Sequence, residues 1–336
     1  MEIILTIDLH AHFAPQELVE ELTKRNIPPF VKKNNSGDRI FQMPHGILKF
    51  GDDFVNMDLR LEFMKKVGVD HQLLSFPGLF GVDSLNVTES LPLVQIFNDN
   101  LSKLQKKFPD KYSGLASLPM ADIDLAVKEY RRARLELGLL GAILPNNYFL
   151  SEEHAQSISP IFKIAQEIGG HIFIHPGRRP DEVPEEYVPQ KILFTDYMAE
   201  RLALTVQHNV GHCMVTLLFS DFLTNYPDVS IHVANLGGTL PMVIERMDNV
   251  SFTRTPDAAL PSTKVRGLYV DCSSLGSRSI ELGAAIFGAD KIVFGTDCPI
   301  FSTERSLNAV KYSNLTDNDK NLILSTNAKE LLKEVR

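Results

Sequence analysis

Two histidines two residues apart close the first apolar run of the chain, Ile7-Asp8-Leu9-His10-Ala11-His12, which begins at Ile3. Side chains alternate along a strand, so His10 and His12 leave it on the same face, and two imidazoles so placed can share one metal ion. A third imidazole, His175, ends the run Ile172-Phe173-Ile174-His175-Pro176. A carboxylate, Asp297, stands in Phe294-Gly295-Thr296-Asp297-Cys298-Pro299. Three neutral imidazoles and one carboxylate suit a divalent transition ion, most simply zinc with a position left for water, with manganese as the alternative. Separately, His175 before proline reads as a turn residue and Asp297 as a helix cap. Their joint placement at the ends of three apolar runs favours a shared cation.

The intervening chain must carry these runs to one place. From Asp58 onward, helical periodicity alternates with short apolar runs: His71–Phe76, Ser113–Leu118, Leu139–Leu144, His171–His175, Val229–Ala234, Leu268–Ser273 and Lys291–Asp297. With the first run, that makes eight strands, nearly all separated by helices, including one stretch over 197–225 broken at Asn209-Val210-Gly211. Alternation of this kind implies parallel pairing through crossover helices. Eight units close into an α/β (β/α)8 TIM barrel, whose working groups sit at the carboxyl ends of its strands. The doubly wound open sheet is the other candidate, but no Gly-x-Gly-x-x-Gly follows a strand. One domain over 1–336 is expected, with an irregular insertion from Phe13 to about residue 57 acting as a lid and a helical tail from Ser302.

Composition narrows the partners. The chain has 336 residues, is 44% hydrophobic and carries a formal charge of −8 without a basic block, which argues against nucleic acid. No apolar run reads as a membrane span of about 18 residues and no leader pattern opens the chain, so a cytoplasmic protein with no membrane partner is expected. Cys213, Cys272 and Cys298 show no paired spacing, and no disulfide framework is expected.

Several motifs together resemble a family. The His-x-His pair, His175-Pro176, Gly237-Gly238-Thr239-Leu240-Pro241 and Gly295-Thr296-Asp297-Cys298-Pro299 are similar to those of the amidohydrolase superfamily. So are Phe97-Asn98-Asp99-Asn100-Leu101, Gly114-Leu115-Ala116-Ser117-Leu118-Pro119 and Asn327-Ala328. The chain resembles most the branch typified by 2-amino-3-carboxymuconate-6-semialdehyde decarboxylase. That resemblance implies a barrel binding zinc through His10, His12, His175 and Asp297. The branch holds aromatic-acid decarboxylases, hydratases and lactone hydrolases, so the fold does not choose the reaction.

One position departs from the pattern. Where the branch has Ala-His-x-Gly-Gly, with the histidine acting as base, this chain has Ala234-Asn235-Leu236-Gly237-Gly238. An amide can hold a water but cannot take its proton near neutral pH. His232 alternates to the opposite face from Asn235 and is a poor substitute, while His208 and His212 read as surface or packing residues. For a substrate acid group, Arg178 and Arg179 lie just past His175. Arg246, eleven residues beyond Asn235, matches an arginine that the resemblance places against substrate carboxylate, sometimes across a subunit boundary. The branch's arginine in the insertion has no match, position 52 being Asp with Lys49 nearby. Phe80 and Phe13 are candidate ring contacts, and Cys298 reads as a small buried residue.

The function expected is a zinc-dependent decarboxylase of a small aromatic or dienoic carboxylic acid. Asp297 would move the proton, arginines would hold the acid group, and the assembly would be a homodimer. A metal-dependent hydrolase, lactonase or hydratase is the first alternative. A barrel that binds ligand with impaired catalysis, because of Asn235, is the second.

Overall fold

The structure is a computed structural model and describes residues 5–44, 46–183 and 197–335; the start of the first apolar run at Ile3 lies outside them. In chain order the strands are β1 (Ile7–His12), β2 (Phe30–Lys33), β3 (Arg39–Met43), β4 (Gly46–Lys49), β5 (His71–Ser75), β6 (Tyr112–Ala116), β7 (Gly141–Pro145), β8 (His171–His175), β9 (Ser230–Val233), β10 (Tyr269–Asp271) and β11 (Ile292–Val293). The helices are α1 (Gln16–Thr23), α2 (Met57–Val67), α3 (Val87–Lys107), α4 (Ile123–Arg132), α5 (Glu152–Ser157), α6 (Ser159–Ile168), α7 (Met198–Phe219), α8 (Leu240–Arg254), α9 (Ser277–Phe287), α10 (Thr303–Lys311), α11 (Asp317–Asn321) and α12 (Asn327–Val335).

Eight strands pair in parallel in the order β1-β5-β6-β7-β8-β9-β10-β11. The chain just past β11 returns to β1: Leu9 N donates to Phe294 O at 2.8 Å, Asp297 N to His10 O at 2.8 Å and His12 N to Cys298 O at 2.7 Å. These bonds close the sheet into a (β/α)8 TIM barrel, with no open edge left in it. A polar clasp inside holds the seam. Asp8, fully buried, accepts from Thr296 N and Oγ1, from Gln72 Nε2 on β5 and from His10 N. Burial pushes its carboxyl up to about 6.

The hydrophobic residues divide between two layers. Ile7, Leu9, Leu73, Ile143, Phe173 and Val293 fill the lumen, and Leu331 and Leu332 of α12 join them at the end where the strands begin. The polar C-terminal tail thus plugs the foot of the barrel and leaves the other end for chemistry. The outer layer packs the helices on the strands, with Ala11, Phe97, Ile161 and Leu240 among its members.

Three sequence expectations are corrected here. The insertion is ordered rather than irregular: α1 is followed by an antiparallel sheet β2-β3-β4, sealed to the barrel by the rings of Phe41, Phe50, Phe54, Phe76 and Phe80. The break expected at Asn209-Val210-Gly211 does not occur, because α7 runs through it. Gly211 serves close packing instead, since a Cβ there would lie 2.7 Å from Thr239 Oγ1. Finally, α7 is long and apolar enough to cross a membrane by length and composition. Its Val210, Cys213, Met214 and Leu217 are buried in the outer layer, as in a core helix of the barrel.

Two measurements probe this packing. Gly141 has φ +157°, and a Cβ there would fall 1.9 Å from His171 O on the paired strand. Gly141→Ala is expected to lower unfolding free energy by at least about 3 kcal/mol in a denaturant titration, and a loss below about 1 kcal/mol contradicts the β7–β8 register. In the loop after β5, Asp83 is buried with Ser84 Oγ as its side-chain partner, and burial pushes its carboxyl up to about 7. A carboxyl raised in the folded state favours folding at low pH and loses that contribution as pH climbs from about 4 to 7. Asp83→Asn is therefore expected to melt above the parent at pH 8 and to show no such gain at pH 4; equal differences at both pH values contradict it.

Candidate metal centre

β1, β8 and the turn after β11 bring His10, His12, His175 and Asp297 together at the carboxyl end of the barrel, all four buried. One ligand atom from each lies within 4.8 Å of the others. The three imidazole centroids form a near-equilateral triangle with sides of 5.1, 4.9 and 5.0 Å, each ring edge-on to its neighbours. Asp297 Oδ1 lies 3.0 Å from His12 Nε2 and 3.7 Å from His10 Nε2. Asp297 adopts φ +58° while its amide holds the His10 carbonyl, which turns its carboxylate over the lumen. It does not cap the helix that follows, because Ser302 does. Gly295 is required here, since a Cβ would sit 2.8 Å from that of His10.

The outer nitrogens are each engaged. His10 Nδ1 lies 2.9 Å from Asp271 Oδ2, His12 Nδ1 3.2 Å from Ser75 Oγ, and His175 Nδ1 2.8 Å from Pro176 O. Carboxylate and carbonyl can only accept, so Nδ1 carries the proton in His10 and His175, and Nε2 presents a lone pair to the centre. His10 Nε2, His12 Nε2 and Asp297 Oδ1 have no hydrogen-bond partner although buried. Orphaned lone pairs turned on one another are costly, and a divalent cation satisfies all of them at once. The surroundings favour positive charge at this point: against burial, Asp271, Asp297 and Asp8 raise His10 to about 9. Without an ion the ring itself would take the charge that a bound cation supplies while leaving Nε2 its lone pair. Burial instead lowers His12, and takes His175 well below the usual histidine value. The donor set fits a transition-metal ion.

Around this centre the other candidates separate. Asn235 follows β9 at φ +58°, its amide N donating to Asp271 Oδ1 at 3.1 Å and its own Oδ1 unpartnered. The glycines after it let the turn meet α7, since a Cβ on Gly238 would lie 2.1 Å from Gln207 O. Arg178 is half-buried; its carbonyl accepts from Ser84 Oγ at 3.0 Å, while its guanidinium makes no hydrogen bond or ion pair among the described residues and is pushed below the usual value by burial. Arg179 is spent locally on Asp181, Glu182 and the Asn147 carbonyl. Arg246 is exposed on the outer face of α8, in a concavity with Met242, Glu245, Asn249 and Val250 and apart from the four ligands. The Phe80 ring lies 6.5 Å from His12, whereas Phe13 packs on Phe97 of α3 in the outer layer. Cys298 is buried in that layer with its thiol pushed up by burial, and His208 and His212 are exposed on α7. Asp52 pairs with Arg39 at 3.0 Å on the insertion.

Two residues escaped the sequence reading. Asp271 orients His10, and its signal was a carboxylate at the end of the seventh barrel strand, matching Asp297 on the eighth. Arg60, on the buried face of α2 with Met57 and Met64, donates from Nη2 to the His12 carbonyl at 3.1 Å and from Nη1 to Gln72 Oε1 at 3.2 Å. A charged residue at an apolar helical position was the sign of it.

Known proteins are similar to this chain in sequence and fold. The 2-amino-3-carboxymuconate-6-semialdehyde decarboxylase of Dictyostelium discoideum is 25% identical over 316 residues, 88% of this chain and 82% of its own length. A gamma-resorcylate decarboxylase from a Rhizobium species is 24% identical over 351 residues, covering 97% of this chain and 98% of its own. Among solved structures, a dihydroxybenzoic acid decarboxylase from a Polaromonas species, with bound manganese and 2-nitroresorcinol, superposes with a TM-score of 0.72 at 20% identity, covering 99% of this chain and 98% of that one. A manganese-bound 5-carboxyvanillate decarboxylase from Novosphingobium aromaticivorans gives 0.75 at 18% identity, covering 98% and 97%. The amidohydrolase family model matches residues 7–333, nearly the whole described barrel. This chain belongs to the amidohydrolase family.

Proposed function

We propose that the protein is a metal-dependent carboxy-lyase that removes carbon dioxide from a small aromatic or dienoic carboxylic acid. The observation that carries this is the convergence of ligand atoms from His10, His12, His175 and Asp297, with those of His10, His12 and Asp297 left unpartnered, in a chain whose relatives along most of its length are named decarboxylases. A zinc or manganese ion held there would supply Lewis acidity, orienting the acid and stabilising the negative charge that develops as the carbon–carbon bond breaks.

The protein's own groups divide the remaining work. Among the described residues the Arg178 guanidinium has no committed donor, and it stands two residues past a cluster histidine's proline, which suits it to hold the carboxylate of the substrate. Arg179, locked to its own loop, keeps that loop in place. Phe80 closes the wall beside His12 and offers a face to a planar substrate. When the carboxyl carbon leaves as carbon dioxide, the bonding pair stays on the ring or diene carbon, which must take a proton; Asp297 would relay it, taking a proton from water and passing it to that carbon. Asn235 can hold a polar group of the substrate through Oδ1 or Nδ2 but cannot carry that proton.

A homodimer fits the outer face. Leu202 and Leu204 are exposed on α7, and Met242, Val250 and Phe252 on α8, Met242 and Val250 lying beside Arg246, an apolar surface that a second copy would cover. Arg246 would lie within that interface.

The deciding experiment pairs metal analysis of the purified protein with release of carbon dioxide from a panel of hydroxybenzoates and dienoic acids, beside a panel of lactones. The parent is expected to carry close to one divalent ion per chain and to decarboxylate at least one acid. His10→Ala is expected to lose both ion and turnover. Retained metal in that variant, or lactone opening without decarboxylation, contradicts the reading. Arg178→Ala is expected to raise KM for the accepted acid about 10- to 100-fold with a smaller change in kcat, the loss of one charge-assisted contact. An unchanged KM removes Arg178 from substrate binding.

A further inference from the structure

Below the ligand set, the lumen holds two further histidines that the reaction does not use. His171 and His232 are fully buried, and their near-parallel rings meet edge to edge, His171 Nε2 lying 2.5 Å from His232 Nδ1. His171 Nδ1 lies 2.9 Å from Ser230 Oγ, and Phe173 stacks on His232 with centroids 4.0 Å apart. At the top, His232 Nε2 has no hydrogen-bond partner and points at Asp271 Oδ2 from 3.6 Å, the same oxygen that holds His10 Nδ1 at 2.9 Å.

The protons in this column can be assigned by elimination. Asp271 Oδ1 accepts from the amides of Asn235 and Ser273, so the carboxylate is arranged as an anion. A lone pair on His232 Nε2 would repel it, and an N–H would be attracted, so the proton sits on Nε2. Then His232 Nδ1 is an acceptor, His171 Nε2–H is its donor, and His171 Nδ1 accepts from the Ser230 hydroxyl. Burial keeps both rings neutral, pushing His171 down to about 3 and His232 well below the ordinary value.

We infer that His171 and His232 are positioning residues, a one-way column of N–H groups whose last member, His232 Nε2–H, faces the Asp271 carboxylate from 3.6 Å and holds it by charge–dipole attraction, and through it the tautomer and aim of His10 toward the cation. This rests on the reading of the four-residue cluster as a divalent-cation site. Outer partners of metal-bound histidines commonly contribute tenfold or more to affinity. His232 acts one residue further out, and its ring has no other polar task in the lumen.

The test measures zinc and manganese dissociation constants by chelator competition without substrate, together with the melting temperature of the metal-free protein. His232→Phe, which keeps the stack on Phe173 and removes the donor, is expected to weaken metal binding about tenfold. His232→Gln, whose amide restores an N–H, is expected to recover most of it. Equal affinity in the parent and His232→Phe overturns the inference, as does a glutamine variant no better than phenylalanine. Should either variant fail to fold, two-bond proton–nitrogen spectra of the labelled parent decide: Nε2–H on both rings supports the column, and Nδ1–H on His232 overturns it. A parent that binds no divalent cation instead defeats the functional reading, which separates the two failures.

Discussion

Everything at the working end of this barrel depends on one arrangement: buried lone pairs aimed at each other rather than at donors. Three imidazole nitrogens and a carboxylate oxygen crowd within 4.8 Å inside protein, a geometry that folding would not favour without a positive charge to receive them. The barrel enforces it through its seam. Asp297 reaches the histidines because its backbone amide is bonded to the His10 carbonyl, so the hydrogen bonds that close the sheet also assemble the ligands. Closure of the fold and completion of the site are the same event.

Around that centre, polar residues are disposed in depth. The Asp8 clasp and Arg60 tie β1 to its neighbours from inside and outside the wall, Arg60 through the carbonyl of His12 itself. Asp271 gathers His10, Asn235 and Ser273 at the end of β10. A rigid frame of this kind holds ligand atoms in place before any ion arrives, which limits the ordering cost of binding it. The loops differ in character from the frame. Among the described residues the Arg179 guanidinium is paired and that of Arg178 is not, so one stabilises a loop while the other keeps its donors.

The substitution of Asn for the expected histidine after β9 is the clearest departure from the family pattern. The backbone there is left-handed at Asn235 and Leu236, a conformation asparagine accepts with little strain and leucine does not. The turn is held by close contact between Gly238 and α7, so the amide occupies a place shaped by the family's architecture while offering hydrogen bonding without proton uptake. On the proposed reading the proton then falls to Asp297, the carboxyl that faces the Nε2 atoms of His10 and His12.

How far the chain could be read unaided follows from the range of the forces involved. The alternation of strands and helices, the eight-unit count and the His-x-His, His175 and Asp297 ligands were legible because side-chain periodicity and the residue types at strand ends are local properties. The insertion between Phe13 and residue 57 misled, since its three short strands gain their order from aromatic packing with Phe76 and Phe80, which lie later in the chain. Gly211 misled for the same reason: its role is set by Thr239, not by its neighbours in the helix. Asp271 and Arg60 left only the faint signs of a charge at a strand end and at an apolar helical position, and the pairing of His171 with His232 left none, because each acquires its partner across the lumen or the wall. By itself, the sequence determined which elements form and which residues can ligate. The tertiary structure decided which polar groups meet, which arginine is left unpaired and which nitrogen of each imidazole faces the centre, because those outcomes depend on distances between segments far apart along the chain.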